Sequence, residues 1–406
     1  MDRTGTFLIV GGGLAAAKAA EGLRAAGFGG RIVLVGDEHD RPYERPPLSK
    51  GYLTGSEQRQ SVFVHAPDWY AEHDVELVLG SPVTSIDVEA RTVATAERQF
   101  GYDKLLIATG AAARRPRFVG DGGAVGFLRT IDDSDRIRAA MRPGHRIAVV
   151  GGGWIGLEVA SAARSAGCDV VVLEAGARPL LGVLGPEVAE VFADLHTSHG
   201  VDLRTGVSVS SVEDVGGRGI VRLGDGSSVA ADFVVVGVGA RPNTALAEAA
   251  GLKVDNGIVV DEHLRTSHPD VVAAGDVANA YHPVLGRHVR VEHWDNAVEQ
   301  GLAAARTMLD VGEAYDHLPY FFTDQYDLGM EYVGDVGPEG YDEVLLRGDV
   351  AGRVFTAFWV RDGRVVAGMH ANDWDATEPV RRIVGAGDVD LRALRDTAVP
   401  LDELAG

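Results

Sequence analysis

Two glycine-rich turns lie 140 residues apart in this 406-residue chain, and they constrain its fold more than any other feature. The first, Gly-Gly-Gly-Leu-Ala-Ala, covers residues 11–16, and the second, Gly-Gly-Gly-Trp-Ile-Gly, covers residues 151–156. Each follows a short apolar run, at residues 7–10 and 147–150, and each opens an alanine-rich segment. Strand, glycine turn and helix in this order are typical of a Rossmann-type nucleotide-binding unit. We therefore predict two dinucleotide sites in an α/β protein.

The residues of the first turn each suit a bound pyrophosphate. Gly11 permits the tight turn, Gly13 lets the backbone approach the phosphates, and the helix that begins at Leu14 and Ala15 presents N–H groups and the positive end of its dipole. Asp37 follows the next apolar run, 24 residues beyond Gly13. A carboxylate at that spacing can accept hydrogen bonds from ribose hydroxyls.

The second turn carries the full three-glycine fingerprint, with Gly151, Gly153 and Gly156 at the characteristic positions. Glu174 lies 21 residues beyond Gly153, after the apolar run at residues 170–173. A carboxylate there favours NADH, because it would repel the additional phosphate of NADPH. The simpler alternative is that Glu174 only ends a strand.

Charge and cysteine content exclude several classes of function. The net charge of −21 argues against non-specific nucleic-acid binding. Cys168 is the single cysteine, so the chain has neither an intrachain disulfide nor a Cys-x-x-Cys pair. No histidine or cysteine spacing resembles a metal site, so we expect no metal. The absence of a long apolar run or a signal-like N-terminus predicts a cytoplasmic protein.

Apolar strands that stop at glycine suggest where the chain crosses between domains. Residues 103–109 and 234–238 are such strands, and they place crossings near positions 111 and 240. We predict a discontinuous first nucleotide domain at residues 1–110 and 240–314, and a second at residues 111–239. From about position 315 the pattern changes to alternating apolar strands, which predicts an α+β domain at residues 315–406.

Seven segments in order along the chain resemble the oxygenase-coupled ferredoxin reductases, the FAD-containing family of putidaredoxin reductase and the reductase component of biphenyl dioxygenase. They are the first glycine turn, Arg-Pro-Tyr-Glu-Arg-Pro-Pro-Leu-Ser-Lys at 41–50, Ala-Thr-Gly at 108–110, Gly-Gly-Gly-Trp-Ile-Gly-Leu-Glu at 151–158, Gly-Val-Gly-Ala-Arg-Pro-Asn at 237–243, Ala-Ala-Gly-Asp-Val at 273–277 and Glu-His-Trp-Asp-Asn-Ala at 292–297. The resemblance covers essentially the whole chain. It implies a glutathione-reductase-like fold with two Rossmann-type domains and a C-terminal α+β domain.

The same resemblance implies which residues bind FAD and NADH. Asp276 matches the aspartate that holds the ribityl chain, Trp294 lies beside the isoalloxazine, and Phe322 takes the place of a tryptophan that covers the ring. The implied FAD contacts are Gly11, Gly13, Leu14, Ala15, Asp37, Arg45, Lys50, Val83, Ala108, Thr109, Gly110, Arg129, Gly275, Asp276, Glu292, His293, Trp294 and Phe322. The implied NADH contacts are Gly151, Gly153, Trp154, Ile155, Gly156, Glu174 and Gly239.

Lys50 and Glu158 match a pair that the family places beside flavin N5, and we predict that they are catalytic. An ammonium near N5 can stabilise the anion that develops as hydride arrives, and a carboxylate keeps that ammonium charged and oriented. The alternative is an ordinary surface ion pair. Two positions depart from the family: Gly182 stands where relatives often have an arginine after the ribose glutamate, and Trp154 replaces a common tyrosine.

The lack of cysteines near the predicted flavin site indicates which electron acceptors are excluded. Disulfide reductases and NADH peroxidases of this fold use cysteines beside the flavin, yet residues 41–53 contain none. Cys168 begins an apolar strand and is expected to be a buried structural thiol. The resemblance therefore implies ferredoxin–NAD(+) reductase activity towards a [2Fe-2S] ferredoxin, which in turn serves a cytochrome P450 or a ring-hydroxylating oxygenase.

Three groups of arginines could attract an acidic ferredoxin, or could simply be solvated side chains with local partners. They are Arg114, Arg115 and Arg117; Arg287 and Arg290; and Arg381 and Arg382. The alternative functions are a rubredoxin reductase, an NADH oxidase or quinone reductase, and a protein like apoptosis-inducing factor. We expect a monomer or a weak homodimer.

Overall fold

The computed structural model describes residues 4–404, so the outermost residues of the predicted domains, 1–3 and 405–406, lie outside the described part. The chain divides into two compact units. The first comprises residues 4–45, Arg59–Ala112 and Ala240–His317, and the second comprises Pro46–Gln58, Ala113–Gly239 and residues 318–404.

A five-stranded parallel sheet forms the centre of the first unit. Its strands, in spatial order, are Val271–Ala273, Lys104–Ile107, Thr6–Val10, Arg31–Val35 and Val75–Val78. The apolar runs of the first four strands are almost completely buried, as expected for parallel strands that are covered on both faces, whereas the edge strand Val75–Val78 buries only Val75. The strand that the sequence predicts at residues 7–10 is therefore present, and the one predicted at residues 103–109 is present over the shorter range Lys104–Ile107.

Two helices of the first unit, Leu14–Ala25 and Trp294–Met308, approach each other closely. A Cβ atom on Gly22 would lie 2.9 Å from the Cβ of Ala305, and one on Gly301 would lie 2.6 Å from the carbonyl oxygen of Ala15. Small residues on both helices therefore allow this close packing, and the contact of Gly301 with Ala15 lies near the start of the first helix. Two short helices, Trp69–Glu72 and Ala245–Ala249, complete the helical part.

The remaining elements of the first unit are short. They are the antiparallel strands Val83–Asp87, Thr92–Thr95 and Gln99–Gly101, a second small sheet of Ile258–Val260, Ala278–His282 and Arg287–Val289, the strands Ala111–Ala113 and Ala240–Pro242 at the two chain crossings, and 3-10 turns at Arg59–Val62 and Gly275–Val277.

The second unit contains a parallel sheet of its own. Its spatial order is Asp202–Arg204, Asp169–Leu173, Arg146–Val150, Phe233–Val236 and Val125–Gly126. The helices Trp154–Ser165, Ile131–Ala140 and Leu181–Ser198 belong to this unit. The structure thus repeats the strand, glycine turn and helix that the sequence predicts twice.

A five-stranded antiparallel sheet forms the C-terminal part of the second unit, as the alternating pattern predicts. Its order is Tyr320–Gln325, Leu328–Gly334, Arg364–Ala371, Val354–Arg361 and Glu343–Asp349. The other elements are the meander Val209–Val215, Arg218–Leu223 and Ser228–Ala231, the helices Gly51–Thr54, Thr377–Ala386 and Leu391–Arg395, and 3-10 turns at Pro46–Ser49, Trp374–Ala376 and Leu401–Glu403.

Glu331, on the antiparallel sheet, makes the unfolding of the protein depend on pH. Its carboxylate accepts hydrogen bonds from His370 (3.1 Å), Thr377 (2.7 Å) and the Tyr320 hydroxyl (2.7 Å), which lower its pKa to about 2. Because the folded pKa lies below the unfolded value, this carboxylate stabilises the fold above pH 4.5. That stabilisation, about 3 kcal/mol, is lost as the pH falls from 4.5 towards 2.

We therefore expect Glu331→Gln to lower the free energy of unfolding at pH 7 and to flatten its dependence on pH between 5 and 3. Urea denaturation at several pH values measures this, with the exposed Glu89→Gln as the control. Parallel pH profiles of Glu331→Gln and the wild type would contradict the assignment.

Cys168 is fully buried, and its thiol donates a hydrogen bond to the carbonyl oxygen of Arg142 at 3.3 Å. Burial raises its pKa, which keeps the thiol protonated. The prediction of a buried structural thiol is confirmed. Among the described residues, none of the helices is both long enough and apolar enough to cross a membrane.

Candidate active site

The first glycine turn is closed on one side and open on the other. Gly11 has a φ of +126°, and a Cβ there would lie 2.1 Å from the carbonyl oxygen of Ala108, so only glycine fits. A Cβ on Gly13 would meet no described atom within 4 Å. Gly13 also precedes the helix that begins at Leu14, and no side chain of the described part caps that helix. This open turn suits a pyrophosphate, and it therefore fits FAD.

Several residues predicted to bind FAD surround this turn within the first unit. A Cβ on Gly36 would lie 3.2 Å from Cα of Gly12, so the exposed Asp37 follows directly beside the turn. Gly275 has a φ of +77°, and its Cβ position lies 3.1 Å from the Cβ of Ala15. Asp276, the predicted ribityl ligand, therefore lies next to the start of the same helix.

Arg45 belongs to an ionic group that also includes Asp276. Nη2 of Arg45 is 3.0 Å from Oε1 of Glu38. Burial opposes the charge of Arg45, but the phenol of Tyr43, Glu38 and Asp276 together raise its pKa. Glu292, another predicted FAD contact, pairs with Nη1 of Arg290 at 2.5 Å. The first unit thus brings cationic and anionic groups of the predicted FAD site together.

The other predicted FAD contacts of the first unit are placed by its strands and turns. Ala108 donates its N–H to the carbonyl oxygen of Val10 at 2.7 Å, and the Thr109 hydroxyl donates to the carbonyl oxygen of Asn243 at 2.8 Å. Gly110 has a φ of +63°. Val83 begins a strand, His293 caps the helix that begins at Trp294, and burial lowers the pKa of His293 to about 4.

The second glycine turn has the same closed and open sides. Gly151 has a φ of +104°, with its Cβ position 2.3 Å from the carbonyl oxygen of Gly237, whereas Gly153 has no described atom within 4 Å. A Cβ on Gly156 would lie 2.1 Å from the carbonyl oxygen of Gly151, which explains the third glycine. Gly239, with a φ of +102°, also has open space at its Cβ position.

Glu174 follows the strand Asp169–Leu173 and lies against this second turn. Its carboxylate accepts hydrogen bonds from the N–H of Gly152 at 2.6 Å and from the N–H of Gly176 at 2.5 Å. The backbone thus holds the acid beside the glycine turn, at the position where the sequence predicts a ribose ligand. Ile155 is 43% exposed beside the turn, and Trp154 packs against Phe192 and Phe321, with ring centroids 5.5 and 4.7 Å away.

Lys50 and Glu158 form an ion pair within the second unit, although they lie 108 residues apart in sequence. Nζ of Lys50 is 2.6 Å from Oε1 of Glu158, and the two side chains are 16% and 4% exposed. The pair is thus mostly buried, unlike the surface pair that was the alternative. The Lys50 ammonium also lies 5.3 Å from the centroid of the Phe322 ring, so a third predicted residue joins this cluster.

Two further residues contact Glu158 of this pair and were not predicted from the sequence. The hydroxyl of Ser49 donates to Oε2 of Glu158 at 2.5 Å, and that of Thr323 donates to Oε1 at 2.6 Å. The sequence feature that could have indicated them is that Ser49 directly precedes Lys50 and Thr323 directly follows Phe322. Arg129, predicted to contact FAD, lies in this unit too, and its N–H donates to Oδ2 of Asp133 at 3.0 Å.

The loop after Glu174 differs from the expectation drawn from the sequence. Gly182 lies in a single helical turn at the start of Leu181–Ser198, before the break at Gly185 (φ +75°), and it is exposed. Arg178, four residues after Glu174, is the arginine that the loop does carry, and it pairs with Glu190. Its position four residues after Glu174 was a signal in the sequence that pointed to Arg178 rather than to position 182.

The predicted basic groups differ in how far they reach solvent. Arg290 is only 12% exposed and is paired with Glu292, which agrees with the alternative that arginines of this group have local partners. Arg381 lies over the ring of Tyr320, and Arg382 pairs with Asp402. The first group is exposed, and it comprises Arg114, Arg115 and Arg117. No cluster of three or more possible metal ligands occurs in residues 4–404.

Comparison with known proteins agrees with this geometry. Residues 5–301 match the family described as pyridine nucleotide-disulphide oxidoreductase, and residues 320–405 match the reductase C-terminal family. The chain is 39% identical to putidaredoxin reductase of Pseudomonas putida, over 100% of this chain and 97% of the relative. It is 40% identical to the anthranilate 1,2-dioxygenase system ferredoxin–NAD(+) reductase component of Burkholderia cepacia, over 97% and 98%.

A solved structure, the covalent putidaredoxin reductase–putidaredoxin complex, matches with a TM-score of 0.94 at 37% identity, over 98% of this chain and 97% of the other. The matches confirm the predicted glutathione-reductase-like fold, the oxidoreductase class, and FAD and NADH as the nucleotides. The chain belongs to the pyridine nucleotide-disulphide oxidoreductase family and, within it, to the ferredoxin reductases that the sequence resembles.

Proposed function

We propose that this chain transfers electrons from NADH through FAD to a [2Fe-2S] ferredoxin that serves a cytochrome P450 or a ring-hydroxylating oxygenase. The relatives named above are reductases of putidaredoxin and of a dioxygenase system, and they match over the whole chain. The observation that carries the proposal is the chemistry around Lys50 and Glu158. This buried pair lies in a chain whose only thiol is buried and protonated, so electrons must leave for an external acceptor.

The proposed site residues follow the sequence prediction. We assign FAD to the first glycine turn with Asp37, Arg45 and Asp276, and NADH to the second turn with Glu174. The domain limits remain those predicted, at residues 1–110 with 240–314, 111–239 and 315–406. When bound, FAD supplies the redox chemistry that links two-electron transfer from NADH to one-electron transfer to ferredoxin.

Lys50 supplies positive charge to the reacting flavin, and the neighbouring side chains keep that charge in place. Glu158 holds the ammonium at 2.6 Å, while the Ser49 and Thr323 hydroxyls occupy the remaining positions on the carboxylate. A buried ion pair is favourable only when its remaining hydrogen-bonding positions are satisfied, and here three donors share two oxygens. The cluster therefore holds a fixed charge in a site where reorganisation would slow the reaction.

The test is anaerobic reduction of cytochrome c by the purified FAD-loaded protein and NADH, with and without a [2Fe-2S] ferredoxin. We expect reduction to depend on the ferredoxin. Rapid reduction without any carrier, a faster reaction with rubredoxin or a quinone, or faster NADH oxidation once air is admitted would contradict the proposal in favour of the alternatives. We also propose a cytoplasmic location, where NADH is available and a single free thiol stays reduced.

Glu174 gives a separate prediction on nucleotide choice. Glu174→Gln keeps one acceptor for the backbone N–H groups but removes the charge that repels the additional phosphate of NADPH. We expect the ratio of kcat/KM for NADPH over NADH to rise about tenfold, which corresponds to about 1.4 kcal/mol. Steady-state kinetics with both nucleotides measures this ratio.

The matched control is Glu187→Gln, which removes an exposed carboxylate of the same unit and should leave the ratio unchanged. A wild-type protein that uses NADPH as efficiently as NADH would remove the basis of the Glu174 assignment.

A further inference from the structure

A row of buried side chains continues from Glu158 to the long helix Leu181–Ser198. Nε2 of Gln325 lies 3.1 Å from Oγ1 of Thr323, which is itself 2.6 Å from Oε1 of Glu158. Oε1 of Gln325 lies 2.8 Å from Nε2 of His196. Thr323, Gln325 and His196 are all at most 1% exposed. All of these residues belong to the second unit, and neither His196 nor Gln325 has a role in the electron transfer proposed above.

Donor and acceptor chemistry fixes the direction of this row. The Oε1 atom of Gln325 only accepts, so Nε2 of His196 carries the ring proton; the amide nitrogen of Gln325 only donates, so the Thr323 oxygen accepts. The Thr323 proton is then free to point at Glu158. The opposite orientation of the amide would take the Thr323 proton for itself and deprive the carboxylate of a donor. Every bond of the row therefore runs towards Glu158.

Histidine is suited to this role because it remains neutral. Burial lowers the pKa of His196 to about 4, so at neutral pH the ring carries one proton and no charge. Its ring packs edge-on against Tyr326, with centroids 5.3 Å apart, and the backbone N–H of Tyr326 donates a hydrogen bond to the hydroxyl oxygen of Ser161 at 3.0 Å. The row is thus attached to a helix and to the edge strand Tyr320–Gln325, and neither end can rotate freely.

We propose that the row His196, Gln325 and Thr323 positions Glu158 and tunes the charge that Lys50 presents to the flavin. The inference rests on the proposed function, in which Lys50 stabilises reduced flavin. The hydrogen bond that Thr323 donates draws negative charge from the Glu158 carboxylate. The carboxylate therefore neutralises less of the Lys50 charge. These three are positioning residues, because they act through Glu158 and not on the nucleotides.

Thr323→Val tests the row because it removes the hydroxyl and keeps the shape of the side chain. We expect the equilibrium constant for reduction of bound FAD to fall about tenfold, which for a two-electron couple lowers the midpoint potential by about 30 mV. The potential is measured by equilibration with a reference dye. Thr323→Ser restores the donor and should restore the potential.

The structure offers a matched control in Thr356. It is 2% exposed in the strand Val354–Arg361 of the same sheet, and among the described residues its hydroxyl has no hydrogen-bond partner. Thr356→Val makes the same chemical change outside the row, so its potential should equal that of the wild type. FAD content and the urea midpoint of all variants confirm that each is folded.

Lys50→Met separates failure of this inference from failure of the proposed function. If Lys50→Met lowers the potential but Thr323→Val does not, the row has no positioning role and the proposed function stands. If Lys50→Met leaves the potential unchanged, the proposed role of Lys50 is wrong, and this inference fails with it. In the double variant Lys50→Met/Thr323→Val we expect no further fall, whereas an additive fall would show that Thr323 acts by another route.

Discussion

Lys50→Met should slow reduction of bound FAD by NADH about 100-fold. The loss follows from removing one positive charge from a mostly buried position where negative charge develops, a change that typically costs two to three orders of magnitude. The first-order rate of flavin bleaching after anaerobic mixing with NADH in a stopped-flow instrument measures it. The variant should retain FAD, because the first glycine turn and its surrounding groups are unchanged.

Loss of Lys50 alone leaves Glu158 buried without its cation, which can destabilise a fold by several kcal/mol. The double variant Lys50→Met/Glu158→Gln removes both charges and should fold while remaining slow. Lys18→Met, which breaks a half-buried ion pair with Glu21, is the control and should bleach at the wild-type rate. A Lys50→Met protein that binds FAD and accepts hydride at the normal rate would show that the ion pair is only structural.

Gly11→Ala should lower the stability of the fold, whereas Gly13→Ala should weaken FAD binding, although the two residues are only two positions apart. The new methyl at Gly11 would lie 2.1 Å from the carbonyl oxygen of Ala108 at a φ of +126°, so we expect the free energy of unfolding to fall by about 3 kcal/mol or more. The methyl at Gly13 meets only open space at a φ of −96°. Its apoprotein should be as stable as the wild type to within about 1 kcal/mol.

The Gly13 methyl nevertheless fills the face of the turn that a pyrophosphate must approach. We therefore expect Gly13→Ala to raise the Kd for FAD about 100-fold in a fluorescence titration of the apoprotein. Each variant is the control for the other, since one perturbs the fold and the other the cofactor site. A Gly13→Ala protein that purifies with a full complement of FAD would place the flavin nucleotide elsewhere.

The periodic features of the fold were predictable from the sequence because they are local. Buried parallel strands appear as short apolar runs, and the turns that follow them need glycine at positions such as Gly11 and Gly151, where a side chain would strike a neighbouring carbonyl oxygen. The same spacing placed Asp37 and Glu174 at the strand ends. These predictions depend on residues within about 25 positions of one another.

The surroundings of Glu158 were not predictable in this way. Ser49 lies 109 residues before Glu158 and Thr323 lies 165 residues after it, so no local pattern links them. Arg290 was grouped with Arg287 from its position in the sequence, yet folding buries most of its side chain beside the carbonyl oxygen of Asp276 and the carboxylate of Glu292. Contacts of this kind form between residues that are far apart in the sequence, so they depend on the tertiary structure.

The most direct test of the central claim is the electron balance between NADH and ferredoxin. In an anaerobic cuvette, a catalytic amount of the FAD-loaded protein is mixed with excess oxidised [2Fe-2S] ferredoxin, and NADH is added in small known portions. The proposed function predicts that two ferredoxin molecules are reduced for every NADH consumed. NADH oxidation without a change in the ferredoxin spectrum would contradict it.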